Sequence, residues 1–207
     1  MSLHLNSVRS KVLVSAALLG TAAAAAGLGT FGAFTSSTSA SASVSSGTVS
    51  ISLGAANTAA NRFSVAASGL VPGDTVQRAV TLTNAAGNQA LSSITLTTTA
   101  TTSSKLDSDP TLGLQLKIDS CSVPWTETGA APAYSYSCSG TTKSVLTTRA
   151  VIGANMVLTN LAALAPNNTD NLVATMSFPA AADNTFQNQS SVLNFTFTGT
   201  QRAATSQ

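Results

Sequence analysis

Past its first few dozen residues the chain alternates apolar and polar positions with period two. That is the period of a strand showing one face to a core and the other to water. The alternation is clean in Val49-Ser50-Ile51-Ser52-Leu53 and again from Val76 to Leu82. It returns in Ile94 and Leu96 among threonines, in Leu112 to Ile118, in Leu172 to Phe178 and in Leu193 to Thr198. Turn-forming clusters separate the runs: Val71-Pro72-Gly73-Asp74, Ala86-Gly87-Asn88, Asp107-Ser108-Asp109-Pro110, Ser139-Gly140 and Pro166-Asn167-Asn168. Roughly eight or nine short strands at such spacing predict an antiparallel two-sheet sandwich. Met156 to Ala165 and Ala180 to Gln187 are helix candidates, the first also reading as a strand and a turn. No internal repeat is visible.

Residues 1–33 break this pattern and read as an export signal. Arg9 and Lys11 form a basic start, and Val12 to Leu28 is an alanine-rich apolar run. The run falls a little short of the roughly 20 residues that span a bilayer. A retained N-terminal anchor is the alternative, and it is the chain's one expected membrane contact. A small-x-small site at Ala40-Ser41-Ala42 invites cleavage after Ala42, and a second candidate lies between Ala33 and Phe34. Composition does not choose between them. Thr35 to Ser46 is rich in Ser, Thr and Ala, with little to bury, so residues 34–46 read as a flexible arm. One domain follows, residues 47–202, then a short tail, 203–207.

Charge changes the picture. Only 8% of the 207 residues are charged, against roughly 25% in an average soluble domain. Arg9 and Lys11 leave with the leader, and the remaining seven basic residues balance the seven acids. A neutral surface lacks the self-repulsion that keeps copies apart. No Lys/Arg cluster outside the leader is available to neutralise phosphates, which argues against nucleic acid.

The inventory for chemistry is poor. The one histidine, His4, lies in the leader, so the exported part lacks Ser-His-Asp, Cys-His and HExxH arrangements. Asp107, Asp109 and Asp119 are candidate calcium ligands, or the first two simply belong to a turn. Spacing alone does not exclude a carboxylate pair for glycoside hydrolysis, but nothing marks one. Asn-x-Ser/Thr matches at Asn167, Asn188 and Asn194 carry no weight in a bacterial exported chain. Cys121 and Cys138 form an even pair in an exported chain, the usual setting for a disulfide. Their loop holds Trp125, Tyr134 and Tyr136, three of the ten aromatics, and reads as a tied-down surface flap. No catalytic residue, metal or cofactor is expected from these residues.

Three segments, in order, resemble the TasA/camelysin family of bacterial exported proteins. The first is Gly29-Thr30-Phe31-Gly32-Ala33-Phe34, then Ser46-Gly47-Thr48-Val49-Ser50-Ile51. The second is Leu70-Val71-Pro72-Gly73-Asp74, then Thr83-Asn84-Ala85-Ala86-Gly87. The third is Asp183-Asn184-Thr185-Phe186-Gln187-Asn188, then Leu193 to Phe197, Thr200 and Gln201. Residues 100–165 carry no matching signature, and the Cys pair and low charge depart from the family. The resemblance implies a jelly-roll sandwich, cleavage between Ala33 and Phe34 by a signal peptidase of the SipW type, and homopolymeric biofilm-matrix fibres. In such fibres an N-terminal segment, here Phe34 through Ser41, Ser43 and Val44, is donated to a neighbouring sheet. Other matrix components are further expected partners. Camelysin-like members are described as metallopeptidases, which implies a metal this residue set does not display. A surface adhesin or carbohydrate-binding sandwich using Trp125, Tyr134 and Tyr136 is the remaining alternative.

Overall fold

A computed structural model describes residues 50–63 and 70–203, and for residues 35–38 the backbone. Eleven strands are found there: β1 (Thr35–Thr38), β2 (Ser52–Leu53), β3 (Thr75–Asn84), β4 (Leu91–Thr102), β5 (Gln115–Cys121), β6 (Thr126–Ala130), β7 (Ala133–Ser137), β8 (Thr142–Ala150), β9 (Gly153–Leu158), β10 (Asn168–Ser177) and β11 (Val192–Gln201). A one-turn helix α1 (Lys105–Ser108) follows β4, and a 3₁₀ turn spans Asn184–Phe186.

Nine of the strands form two sheets, in the orders β1-β11-β4-β9 and β2-β3-β10-β5-β8, while β6 and β7 make a separate hairpin. All pairings are antiparallel. The alternating residues explain the layers. Ile94, Leu96 and Phe197 of the four-stranded sheet meet Val80, Leu82, Leu116, Ile118, Leu172 and Ala174 of the five-stranded sheet in one buried core. Their polar neighbours point outward, which is how period-two strands build an all-β sandwich. Phe63 closes one margin, its ring 5.0 Å from Phe195 and 6.1 Å from Phe197.

Chain order puts the sandwich's two flanks to different uses. Consecutive strands β8 and β9 lie at the margins of opposite sheets, and the Thr159 amide donates to the Val145 carbonyl at 3.0 Å. On the other flank, β1 takes the edge of β11 and β2 takes the edge of β3. Ile51, 1% exposed, plugs the core there beside Gly199. A Cβ on Gly199 would lie 3.1 Å from Leu91 and 3.5 Å from Ile51, so the glycine makes the room that Ile51 fills.

Several expectations shift. The run Val49 to Leu53 yields only the short β2, and the strand in Leu112 to Ile118 starts at Gln115. Leu112 to Leu114 are instead held in a loop: the Gly113 amide bonds the Asp109 carbonyl and the Leu114 amide bonds that of Leu106. Asp107-Ser108 falls inside α1, where Ser104 and Asp107 form a capping box. Met156 to Ala165 is the end of β9 followed by turns, not a helix, because Asn160 adopts a left-handed φ of 57°. Ala180 to Gln187 contains only the 3₁₀ turn.

Candidate functional site

Three places hold the residues singled out by sequence: the N-terminal strand, the turns of the family motifs and the disulfide hairpin. The arm comes first. Thr35–Thr38 pair with β11 in the register Thr35 to Thr200, Ser36 to Gly199, Ser37 to Thr198 and Thr38 to Phe197. The pairing continues the sheet by one strand at its edge, through main-chain groups any sequence can supply. Ala33, Phe34, Ser41, Ser43 and Val44, and with them the cleavage site and most of the candidate donor segment, lie outside the described residues, as does the leader.

The motif residues build turns and strand ends. Val71-Pro72-Gly73-Asp74 is a turn with Gly73 at φ 101°, a value suited to glycine at the third position of a type II turn. The Asp74 carboxylate accepts the Val71 amide at 2.9 Å, and backbone bonds between Gly73, Asp74 and Phe178 tie the turn to the end of β10. Asn84, fully buried, donates to the Gln89 carbonyl at 3.2 Å and closes the β3–β4 turn, while its Oδ1 has no partner. Asp183 caps the 3₁₀ turn by accepting the Thr185 amide at 2.9 Å. Gln187 closes that turn with its amide on the Asn184 carbonyl, and its side chain reaches Asn184 Oδ1. Gln201 ends β11, its carbonyl accepting from Ser92. These positions shape turns and strand ends.

The hairpin is the most elaborate polar site. Cys121 and Cys138 are bonded, with Cα atoms 5.8 Å apart, so the aromatic loop is tied as expected. Glu127 of β6 lies directly opposite Tyr136 of β7 and accepts its hydroxyl at 2.8 Å. Arg62, from the segment after β2, grips the same carboxylate with Nε at 2.9 Å and Nη2 at 2.6 Å. This fork-on-carboxylate geometry is the strong form of the ion pair. Arg62 also lies 4.6 Å from the Tyr134 ring centre, and the Tyr136 amide donates to Gln77 Oε1 at 3.2 Å. Trp125 is half-buried and donates its indole N–H to the Asn171 carbonyl at 2.9 Å. The three aromatics therefore use their rings and polar atoms inward, holding the flap against the five-stranded sheet. Arg62 and Gln77 were not legible as partners, since they lie sixty-five residues from Glu127 and fifty-nine from Tyr136.

Electrostatics follow from this geometry. The Arg62 hydrogen bonds hold the Glu127 carboxyl below the usual carboxylate range, with burial opposing them and Tyr136 assisting. Burial, and then the bond to Glu127, push the Tyr136 hydroxyl up to about 12. Arg78 is 2% exposed, and burial lowers its guanidinium.

The family model described as camelysin metallo-endopeptidase matches residues 8–206. The chain belongs to this family. No curated protein and no solved structure matches it.

The description of the camelysin family implies a metal, and the donor set does not fit one. Both cysteines are consumed in the disulfide, so no thiolate is available. Each of the seven carboxylates already has a structural duty. Asp74 and Asp183 fix turns. Asp109 accepts the Thr111 and Leu112 amides at 3.0 and 2.9 Å. Asp119 pairs with Lys117 at 2.8 Å, and Glu127 with Arg62. Asp170 accepts the Ala162 and Ala163 amides at 3.0 and 2.8 Å. Burial pushes Asp107 up, but hydrogen bonds from Ser191, Ser104 and Ser103 outweigh it and hold the carboxyl low. Among the described residues no three His, Cys, Asp or Glu side chains gather as a metal site. Asp107, Asp109 and Asp119 are thus not brought together as calcium ligands.

Proposed function

We propose that this chain is a secreted structural subunit that assembles outside the cell by adding its N-terminal arm to a sheet of a neighbouring copy. The observation that carries this is the placement of Thr35–Thr38 as an edge strand on β11. A terminal strand bound at an edge by main-chain bonds can exchange for the same strand of another copy without disturbing the core. The balance of seven bases and seven acids outside the leader removes a barrier to such contact. Membership of the camelysin family, with its TasA branch, supports the rest: removal of residues 1–33 by a SipW-type peptidase and incorporation into biofilm-matrix fibres. N-terminal sequencing of the secreted protein checks the first step, Phe34 being the expected first residue and Ser43 the result that replaces it.

Ser36→Pro and Ser37→Pro, made separately, test the assembly step. In an antiparallel ladder successive residues point their N–H groups alternately at the partner and away. One of the two prolines therefore removes a ladder donor, whichever residue provides it. Electron microscopy of the concentrated mature protein should show shorter and fewer fibres for one variant, with the circular dichroism of the domain unchanged. Equal elongation by both variants and the parent defeats strand addition. The family description favours a metallo-endopeptidase as the second reading. Casein cleavage by purified mature protein, abolished by a chelator and restored by a divalent metal, would establish it instead.

A further inference from the structure

The outer faces of the two sheets differ in charge. In the five-stranded sheet Lys117 and Asp119 on β5 point outward and Lys143 and Arg149 on β8 are exposed, whereas Arg78 on β3 and Asp170 on β10 are buried opposite Ala174 and Leu82. No charged residue occurs anywhere in β1, β4, β9 or β11. The outward positions of the four-stranded sheet instead form a grid of hydroxyls. Ser93, Thr95, Thr97 and Thr99 on β4 lie opposite Thr200, Thr198, Thr196 and Asn194 on β11. Val157 lies opposite Thr95 on the other side, 59% exposed, and Val192 extends the β11 row at 55%. These are two of the four exposed large apolar side chains among the described residues.

We infer that this face is a self-association surface, meeting the same face of a second copy of the chain. A contact between two copies of one patch sets like against like, so every charge in it faces its own sign unless the register avoids it. A patch without charges escapes that cost. Threonine also suits a self-facing contact: its hydroxyl both donates and accepts, and its methyl packs against a methyl. Strand rise and spacing give the four strands a footprint of about 500 Å² per copy. Two copies then cover about 1,000 Å², the lower bound for a specific interface. Exposed Val157 and Val192 stand singly at separate points of the face, so they add apolar contact without forming a patch of their own. The contact is lateral and leaves the β1–β11 edge free, so it goes beyond strand addition and does not require it.

Charge exchange tests the contact. Thr99 and Val157 are both exposed, and neither side chain has a structural hydrogen bond. Two double variants of the mature protein are made, Thr99→Lys with Val157→Lys and Thr99→Glu with Val157→Glu. Sedimentation velocity over a concentration series should show each variant alone associating at least tenfold more weakly than the parent. An equimolar mixture should recover association, because Lys and Glu faces then meet. Fibre width by electron microscopy should follow the same order while fibre length stays at the parental value. Parental association of both variants overturns the proposal. So does loss of association without recovery on mixing, which would mean that the face meets a different surface of the second copy. The proline variants of β1 change length instead, so failure of either reading is read separately.

Discussion

The two sheets are written in the same alternating pattern, yet their outer sides are treated differently. The five-stranded sheet holds charged residues and is overlaid by a hairpin fastened through a disulfide, the Arg62–Glu127 pair and the Trp125–Asn171 bond. The four-stranded sheet has no charged residue and no such overlay among the described residues. One side gains order from specific long-range ties. The other carries only short local bonds on its outer side among the described residues, such as the Asn155 amide donating to Thr97 Oγ1 at 3.0 Å. A sandwich core tolerates both arrangements because outward positions add little to the packing that holds the sheets together.

This contrast can be broken at its strongest point first. Phe197 is fully buried on the inner side of β11. Phe197→Ala should cost about 3–5 kcal/mol in denaturant unfolding, because the lost ring leaves a cavity between the sheets. A loss below about 1 kcal/mol would mean that the four-stranded sheet is not held by this core. Next comes the tie on the other sheet. Replacing Cys121 and Cys138 by Ser should cost about 3 kcal/mol in the chain-entropy account. Hydrogen exchange should then quicken in β6, β7 and the adjoining half of β3 while the β4 and β11 amides stay as protected as before. Equal loosening of both sheets would erase the distinction.

A smaller effect isolates the ion pair. Glu127→Gln should cost about 1 kcal/mol, as expected for a partly exposed pair with good geometry. The sign with pH follows from Glu127's lowered carboxyl. A carboxylate held low in the fold stabilises it above the unfolded value, and that stability is lost as pH falls through the folded one. The parent should therefore lose stability in acid relative to Glu127→Gln. Tyr136 works the other way. Its hydroxyl, pushed up to about 12, stabilises the fold below the unfolded value near ~10, and that contribution disappears as pH rises to 12. Ultraviolet titration should show the Tyr136 phenol ionising well above the ~10 of a free tyrosine. Ionisation of Tyr136 near ~10 would mean that the flap is open. The smallest change should come from the bare sheet: Thr99→Val should stay within about 0.5 kcal/mol of the parent.

The motif turns show how far the sequence could be read. Pro72-Gly73-Asp74 announced a turn because proline and glycine each demand one backbone shape there, and the turn is where expected. The strands β6 to β8 were not legible. They are short, largely exposed runs such as Thr126–Ala130 and Thr142–Ala150, and without a buried face alternation has nothing to mark. Carboxylate roles were also hidden. Asp107 and Asp109 looked like possible ligands because sequence does not reveal that Ser191, Thr111 and Leu112 use their oxygens.

By itself, then, the chain determined its layers and its bond between cysteines. Period-two burial is a local property of a strand, and an even cysteine pair in an exported chain has few alternatives. Only the tertiary structure decided which strands became neighbours, that Thr35–Thr38 takes the β11 edge, and that Arg62 reaches Glu127 across sixty-five residues. It also decided that the β6–β7 hairpin would overlie the five-stranded sheet. These outcomes depend on groups far apart in sequence meeting in space, and register is set by the whole buried face rather than by any one strand.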